Sequence, residues 1–194
     1  GRVTGVQTCA LPIYTIVTGI VSTFSASQRV IQQASQLGAN VIIAHEGLFY
    51  SHQDQRDQLL NDPVYKQKLQ LIEQTGMHII RLHDAIHREQ RDGIMEGLLR
   101  RLEWRNQVVE ETSTHAIVEL PNVMQLDQLA TWLKKQLPAT SIRLSGQAEQ
   151  QCERIGVLVG YRGGATLGLP LIAREDVDVL IAGEGPEWEL PEYV

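Results

Sequence analysis

Cysteine is scarce in this chain: Cys9 and Cys152 are the two in 194 residues, which excludes a disulfide framework and a thiolate metal cluster. That usage makes a reducing cytoplasm the default expectation. Basic residues are in the minority too, 17 Lys and Arg against 23 Asp and Glu for a net charge of −6. No basic cluster forms the footprint that nucleic acid requires. Nor does any apolar run approach the roughly eighteen residues that span a bilayer, so no membrane partner is expected. What is present is globular composition, 43% hydrophobic and 21% charged. That suffices for one good-sized core or two small lobes and argues against wholesale disorder.

Residues 1–13 read as foreign. Val3 to Ile13 matches the translation of a common sequencing-library adapter read in frame; the alternative is a native edge strand followed by a Pro turn. It has no long apolar segment of the kind a signal peptide needs. With no matched hydrophobic face, this leader is expected to pack little against the rest, and the true start of the gene is expected to be missing.

Tyr14 to Val21 is β-branched and apolar and reads as the first genuine strand. Ser25 or Ser27 can cap a helix carrying Val30, Ile31, Ala34 and Leu37 on one face, with Gly38 as its stop. A short buried run, Asn40 to Ala44, then ends abruptly in His45 and Glu46. Strand, helix, glycine, strand is a βαβ unit, and in such sheets ligands bind at the carboxyl ends of strands. His45 and Glu46 are therefore either metal ligands or a capped, hydrogen-bonded strand end.

A second crossover follows. Pro63 suits the first position of a helix that runs to Gly76, and Met77 to Leu82 is the next strand, ending in His83, Asp84 and His87. A carboxylate between two histidines can bridge two cations through its two oxygens, or can simply cap a helix. Between the crossovers, His52 and Asp54 either help bind a ligand or are solvated side chains.

Downstream, Asp92 can cap a helix through Leu102, Thr114 to Leu120 is a strand, and Asn122 can cap a helix through Leu137. Ser141–Leu144 and Arg154–Gly160 read as two further strands, and residues about 105–150 as a small second lobe. Arg162-Gly163-Gly164-Ala165-Thr166 joins a strand to a helix; it either admits a phosphate or makes a tight turn, and it is not a Walker loop. Val177 to Ile181 is a last buried strand, followed by Glu184 and Glu187, which line a site or stand exposed near a helix start.

Three stretches together carry a resemblance: AHEGLFY at 44–50, RLHDAIH with DGIMEGLL at 81–99, and DVLIAGEGPEWE at 178–189. In this order they resemble the Nif-three-like family, also described as GTP cyclohydrolase type two-like, over residues 15–194. The resemblance implies an α/β fold with a mostly parallel sheet and flanking helices, plus a second small α/β lobe. It also implies a dinuclear metal centre, a hexameric homo-oligomer, and Asp84 as the central metal-binding aspartate. Where many members carry two adjacent histidines, this chain has His45-Glu46, an oxygen donor in place of a nitrogen. The family's remaining His-x-x-x-Glu ligands find no match before Val194, so the chain is read as incomplete at both ends. It is expected to bind metal poorly as it stands.

The metal-ligand set at this stage is His45, Glu46 and Asp84, with Glu184 or His87 as proton carriers. These donors suit Zn, Mn, Fe or Ni without choosing among them. Two cations joined by a carboxylate can lower the pKa of water and polarise a phosphoryl or carbon–nitrogen centre. One reading is a metal-dependent hydrolase of cyclohydrolase or phosphate-ester type, its substrate a nucleotide or phosphate ester. The other is a non-catalytic metal-binding or regulatory protein. Strands at about 41–44, 78–82 and 178–181 are expected to share one sheet and converge on the site.

Overall fold

The computed structural model describes residues 15–193 apart from 50, 51, 53 and 187. The adapter-like leader, Tyr14 and the site-lining expectation on Glu187 lie outside the described residues. The chain divides into two compact units, residues 1–87 and 88–194.

The first unit is a parallel three-stranded sheet in the order β1 (Ile20–Thr23), β2 (Val41–Ala44), β3 (His78–Arg81). Its crossovers are α1 (Gln28–Gln36) and α2 (Pro63–Thr75), which pack against each other. Local chemistry sets their ends. Ser27 accepts the Val30 N–H at the start of α1, and Asp62 accepts the Tyr65 N–H at the start of α2 with Pro63 in the first turn. Gly76 closes α2 at φ 61°, a left-handed conformation that a Cβ would strain. The core gathers Ile31, Ala34, Ile42, Ala44, Leu48, Ile72, Met77 and Ile79. A short helix, α3 (Asp84–Arg88), follows β3.

Two expectations here are corrected. Among the described residues the first ladder begins only at Ile20, because the Asn40 side chain does the pairing for Ile16 and Thr18. It accepts the Thr18 N–H at 2.9 Å and donates to the Ile16 carbonyl at 2.8 Å, leaving Ile16 and Val17 exposed. Leu37 is also exposed, since it sits at the helix end and not on the buried face.

The second unit begins with α4 (Gly93–Arg101), capped by Asp92, whose carboxylate accepts the Ile94 and Met95 N–H groups. A mixed sheet follows in the order β4 (Val108–Glu111), β5 (Ala116–Gln125), β6 (Gln151–Leu158), β7 (Val179–Ala182). The first three strands are antiparallel and β7 is parallel to β6. Helices α5 (Leu126–Gln136) and α6 (Ala165–Ile172) flank it, and α7 (Glu189–Tyr193) ends the described chain. Met95, Leu99, Trp104, Leu129, Leu133, Ile155 and Val157 form its main core, with Trp104 stacked on Trp132 at 5.3 Å.

Asn122 does not cap α5. It lies inside β5, which continues to Gln125 because Met124 and Gln125 pair with Cys152 and Gln151. Cross-strand pairing outweighs the local capping preference, and a register shift between Glu119 and Met124 accommodates Pro121. Ser141–Leu144 joins no ladder. β7 pairs with β6 in this second sheet, so the expectation that 178–181 shares a sheet with β2 and β3 is overturned. Its apolar run identifies a strand without naming its partner. No helix among the described residues is long and apolar enough to cross a membrane.

Ile42, fully buried on the central strand of the first sheet, is expected to be that unit's most sensitive position. Ile42→Ala should destabilise it by about 2–5 kcal/mol through lost contacts and the cavity left behind. Urea unfolding followed by an amide-exchange probe on β2 measures this.

Candidate metal centre

The site is built where β2 stops. The His45 N–H donates to Thr23 O at 3.0 Å, the Glu46 N–H to Phe24 O at 2.9 Å, and the Leu82 N–H to Ala44 O at 2.8 Å. The three strand ends are thus held together just past the ladder, and their next side chains leave the sheet side by side. The imidazole of His45 lies with its centroid 4.4 Å from that of His83 and 5.2 Å from that of His87. His83 precedes α3 and His87 lies one turn on, with the His87 N–H directed at His83 O. An i, i+4 pair shares one helix face, which is why both rings reach His45.

Two groups of donors result, each with ligand atoms within 4.8 Å of one another: His45, His83 and His87, and Glu46, His52 and His83. In a tetrahedral site with bonds of about 2.1 Å, ligand atoms stand roughly 3.4 Å apart. Drawing either group in by about an ångström would therefore close it on a cation. The donor set fits a divalent metal of the zinc, iron or manganese kind.

The two groups share His83, and its hydrogen bonding constrains them. Asp84 Oδ1 lies 2.9 Å from His83 Nδ1, which assigns the proton to Nδ1 and leaves Nε2 as the metal-facing atom, the carboxylate–histidine–metal arrangement. One nitrogen serves one cation, so His83 joins one group at a time. His52 is encumbered too, because Arg81 Nη2 lies 3.1 Å from its Nδ1. Glu46 stands 3.6 Å from His83 Nε2 and 3.7 Å from His52 Nδ1, charge contacts longer than hydrogen bonds.

Of the residues nominated from sequence, His45, Glu46 and His87 fall into these two groups. Asp84 is placed on His83, outside both groups. Glu184 lies in the second unit, where its backbone clasps Gly160 and Gly163 and it borders a cavity of about 700 Å³ with Tyr161, Leu180 and Pro186. His83 and His52 are the donors that the sequence reading left out of its ligand set. The His83/His87 spacing was the available signal for the first; the second was read as either ligand-binding or solvated. Asp54, read as a ligand or a solvated group, is buried, accepts the Phe49 N–H and is held by Arg56.

The glycine turn after β6 resolves toward close packing. A Cβ on Gly163 would stand 2.8 Å from Glu184 O, and one on Gly185 would stand 2.5 Å from the Gly163 carbonyl carbon. The start of α6 is already served, because the Ala165 N–H donates to Glu189 Oε2 at 2.7 Å. An intramolecular carboxylate occupies the place the phosphate reading had reserved for a ligand.

Fold and site together define an α/β protein of two units with a histidine–carboxylate candidate metal centre. The chain belongs to the Duf34/NIF3 (NGG1p interacting factor 3) family, whose sequence profile it matches over residues 12–191. Among solved structures, a Bacillus cereus protein related to NIF3 superposes with a TM-score of 0.72 at 14% identity, over 93% of this chain and 75% of that one. The Staphylococcus aureus hypothetical protein SA1388 gives 0.69 at 18% identity, over 87% and 67%. Reduced HcgD from Methanocaldococcus jannaschii gives 0.61 at 14%, over 93% and 68%. These likenesses show the fold. The chain spans about two thirds of the first solved relatives, 67% and 68% of their lengths. No curated protein matches it.

Burial, then repulsion from His83 and His87, pushes the His45 pKa below its ordinary 6.5, against the opposing effects of Glu46 and a hydrogen bond at Leu82. A histidine depressed in the folded state contributes stability that is complete above its unfolded pKa and lost as pH falls through the folded one. Metal-free protein should therefore lose stability between about pH 7.5 and 5.5, and His45→Gln should lose less over the same window. Urea midpoints at the two pH values measure the difference.

Proposed function

We propose that this protein is a divalent-metal-dependent hydrolase acting on a phosphate ester or a nucleotide-like carbon–nitrogen bond. The observation that carries the reading is the convergence of three half-buried imidazoles, His45, His83 and His87, beside the carboxylates of Glu46 and Asp84. Burial and the neighbouring imidazoles lower the His45 pKa, which favours the neutral ring whose lone pair can take a cation. Bound there, divalent ions would supply Lewis acidity and a water of lowered pKa.

The remaining work falls to this chain's own residues. His45 and Glu46 are the ligands from the β2 end. Asp84 orients His83 through Oδ1 and is the carboxylate the family resemblance assigns to a two-cation centre. His87 either completes the imidazole set or carries a proton, and Glu184 is the second proton carrier that the sequence nominates. A small-molecule substrate belongs to the same reading, with assembly as a homo-oligomer on family resemblance and residence in the cytoplasm on cysteine usage.

Calorimetric titration of Zn or Mn tests the centre. His45→Ala and His83→Ala are each expected to weaken binding by about 10–100-fold or more. Metal-dependent turnover of a nucleotide and phosphate-ester panel, abolished by Asp84→Ala, is the expected result for the hydrolase. Metal retention without turnover would favour the non-catalytic metal-binding reading. Absence of metal binding by the full-length wild-type protein would overturn both.

A further inference from the structure

Lys68 stands on α2 one turn before the buried Ile72, so the helix face that packs on the sheet also carries an ammonium inward. Burying a cation is costly unless something takes up its charge. Lys68 Nζ donates to the Leu48 carbonyl and lies 5.4 Å from the Phe49 ring centroid. No carboxylate pairs with it among the described residues. The nearby candidate, Asp54, is taken by Arg56 Nε at 3.1 Å and by the Phe49 N–H at 2.9 Å. Burial accordingly pushes the Lys68 pKa down, against the attraction of Asp54.

This ammonium opens onto a cleft of about 370 Å³ whose lining also includes Ser25, Ser27, Glu46 and His52. Ser27 Oγ spends an acceptor site on the Val30 N–H, which leaves its hydroxyl proton to donate elsewhere. The lining thus brings together a cation, two serines, and Glu46 and His52 of the candidate metal centre.

We propose that this cleft is an anion subsite in which Lys68, Ser25 and Ser27 hold a phosphate or phosphate-ester group against the metal centre. The placement against the centre rests on the function proposed above; the anion site itself does not. The Glu46 carboxylate faces the same cleft and opposes an anion until a cation sits beside it. Phosphate should therefore bind more tightly to metal-loaded than to metal-free protein.

The test is titration of inorganic phosphate into full-length chain, metal-free and Zn-loaded, read by amide and lysine side-chain NMR shifts. Shifts at Ser25, Ser27 and Lys68 are expected in both forms. Lys68→Met keeps the aliphatic stem and removes the charge; it should weaken phosphate binding at least about tenfold, with metal affinity unchanged. Lys68→Arg should restore most of it, which a merely structural lysine would not require. Phosphate affinity unchanged in Lys68→Met, no binding by the wild type in either form, or equal shifts from acetate at the same ionic strength would each overturn the subsite. Should Lys68→Met fail to fold, the wild-type shift map decides, since shifts confined elsewhere also overturn it. Loss of turnover alone would count against the hydrolase and leave this result standing.

Discussion

The structure of the first unit depends on one constraint: β2 must satisfy its backbone on both sides at once. Its register places Ala44 opposite Thr23 of β1 and opposite Arg81 of β3. Because all three strands run the same way and end at the same level, the residues that follow them emerge together. His45 and Glu46 leave from one strand and His83 from its neighbour. A slip of one residue would turn His45 away from His83, since successive side chains point to opposite faces. That slip would also turn Ile42 and Ala44 out of the cluster they form with Ile31, Ile72 and Ile79. Core packing and site geometry are therefore one requirement.

That arrangement concentrates charge in a confined place. Three imidazoles lie within ring-contact distance, and burial, then repulsion from His83 and His87, lowers the His45 pKa. Glu46 and a backbone hydrogen bond at Leu82 oppose the effect. Arg81, itself buried, presents its guanidinium to His52 and leaves its Nε without a hydrogen-bond partner. A ring nitrogen that accepts from the Arg81 guanidinium cannot at the same time hold a cation, so that atom of His52 serves one or the other. The neighbouring Asp54 carboxylate is held by Arg56 and the Phe49 N–H, and Lys68 borders the cleft.

The second unit uses its glycines differently. Around Gly163 and Gly185 two backbone segments approach so closely that any side chain would collide with a carbonyl group. The loop after β7 is thereby fastened to the loop after β6, and Glu189 reaches the α6 N-terminus from there. A motif that on composition suits an anion is, in this chain, a device for tying α7 to α6.

Much of this was legible in the sequence. Period and punctuation identified α1, α2 and α4, with Ser25 or Ser27, Pro63, Gly76 and Asp92 marking their ends, because such residues act within a few positions of the bonds they make; the Asp62 cap came only from the structure. The buried β-branched runs identified β2 and β3, and their abrupt polar ends singled out His45, Glu46, His83, Asp84 and His87 as a group. Three short motifs were enough for the family. Only the tertiary structure decided which strands share a sheet, since an apolar run such as Val179–Ala182 is equally suited to either. It alone extended β5 through Asn122, brought His52 and Lys68 to the cleft, and buried Asp54 against Arg56. The division has a physical cause. Caps and periodicity are local interactions between neighbours in the chain, whereas strand partners and side-chain neighbours are chosen by packing between segments far apart in it.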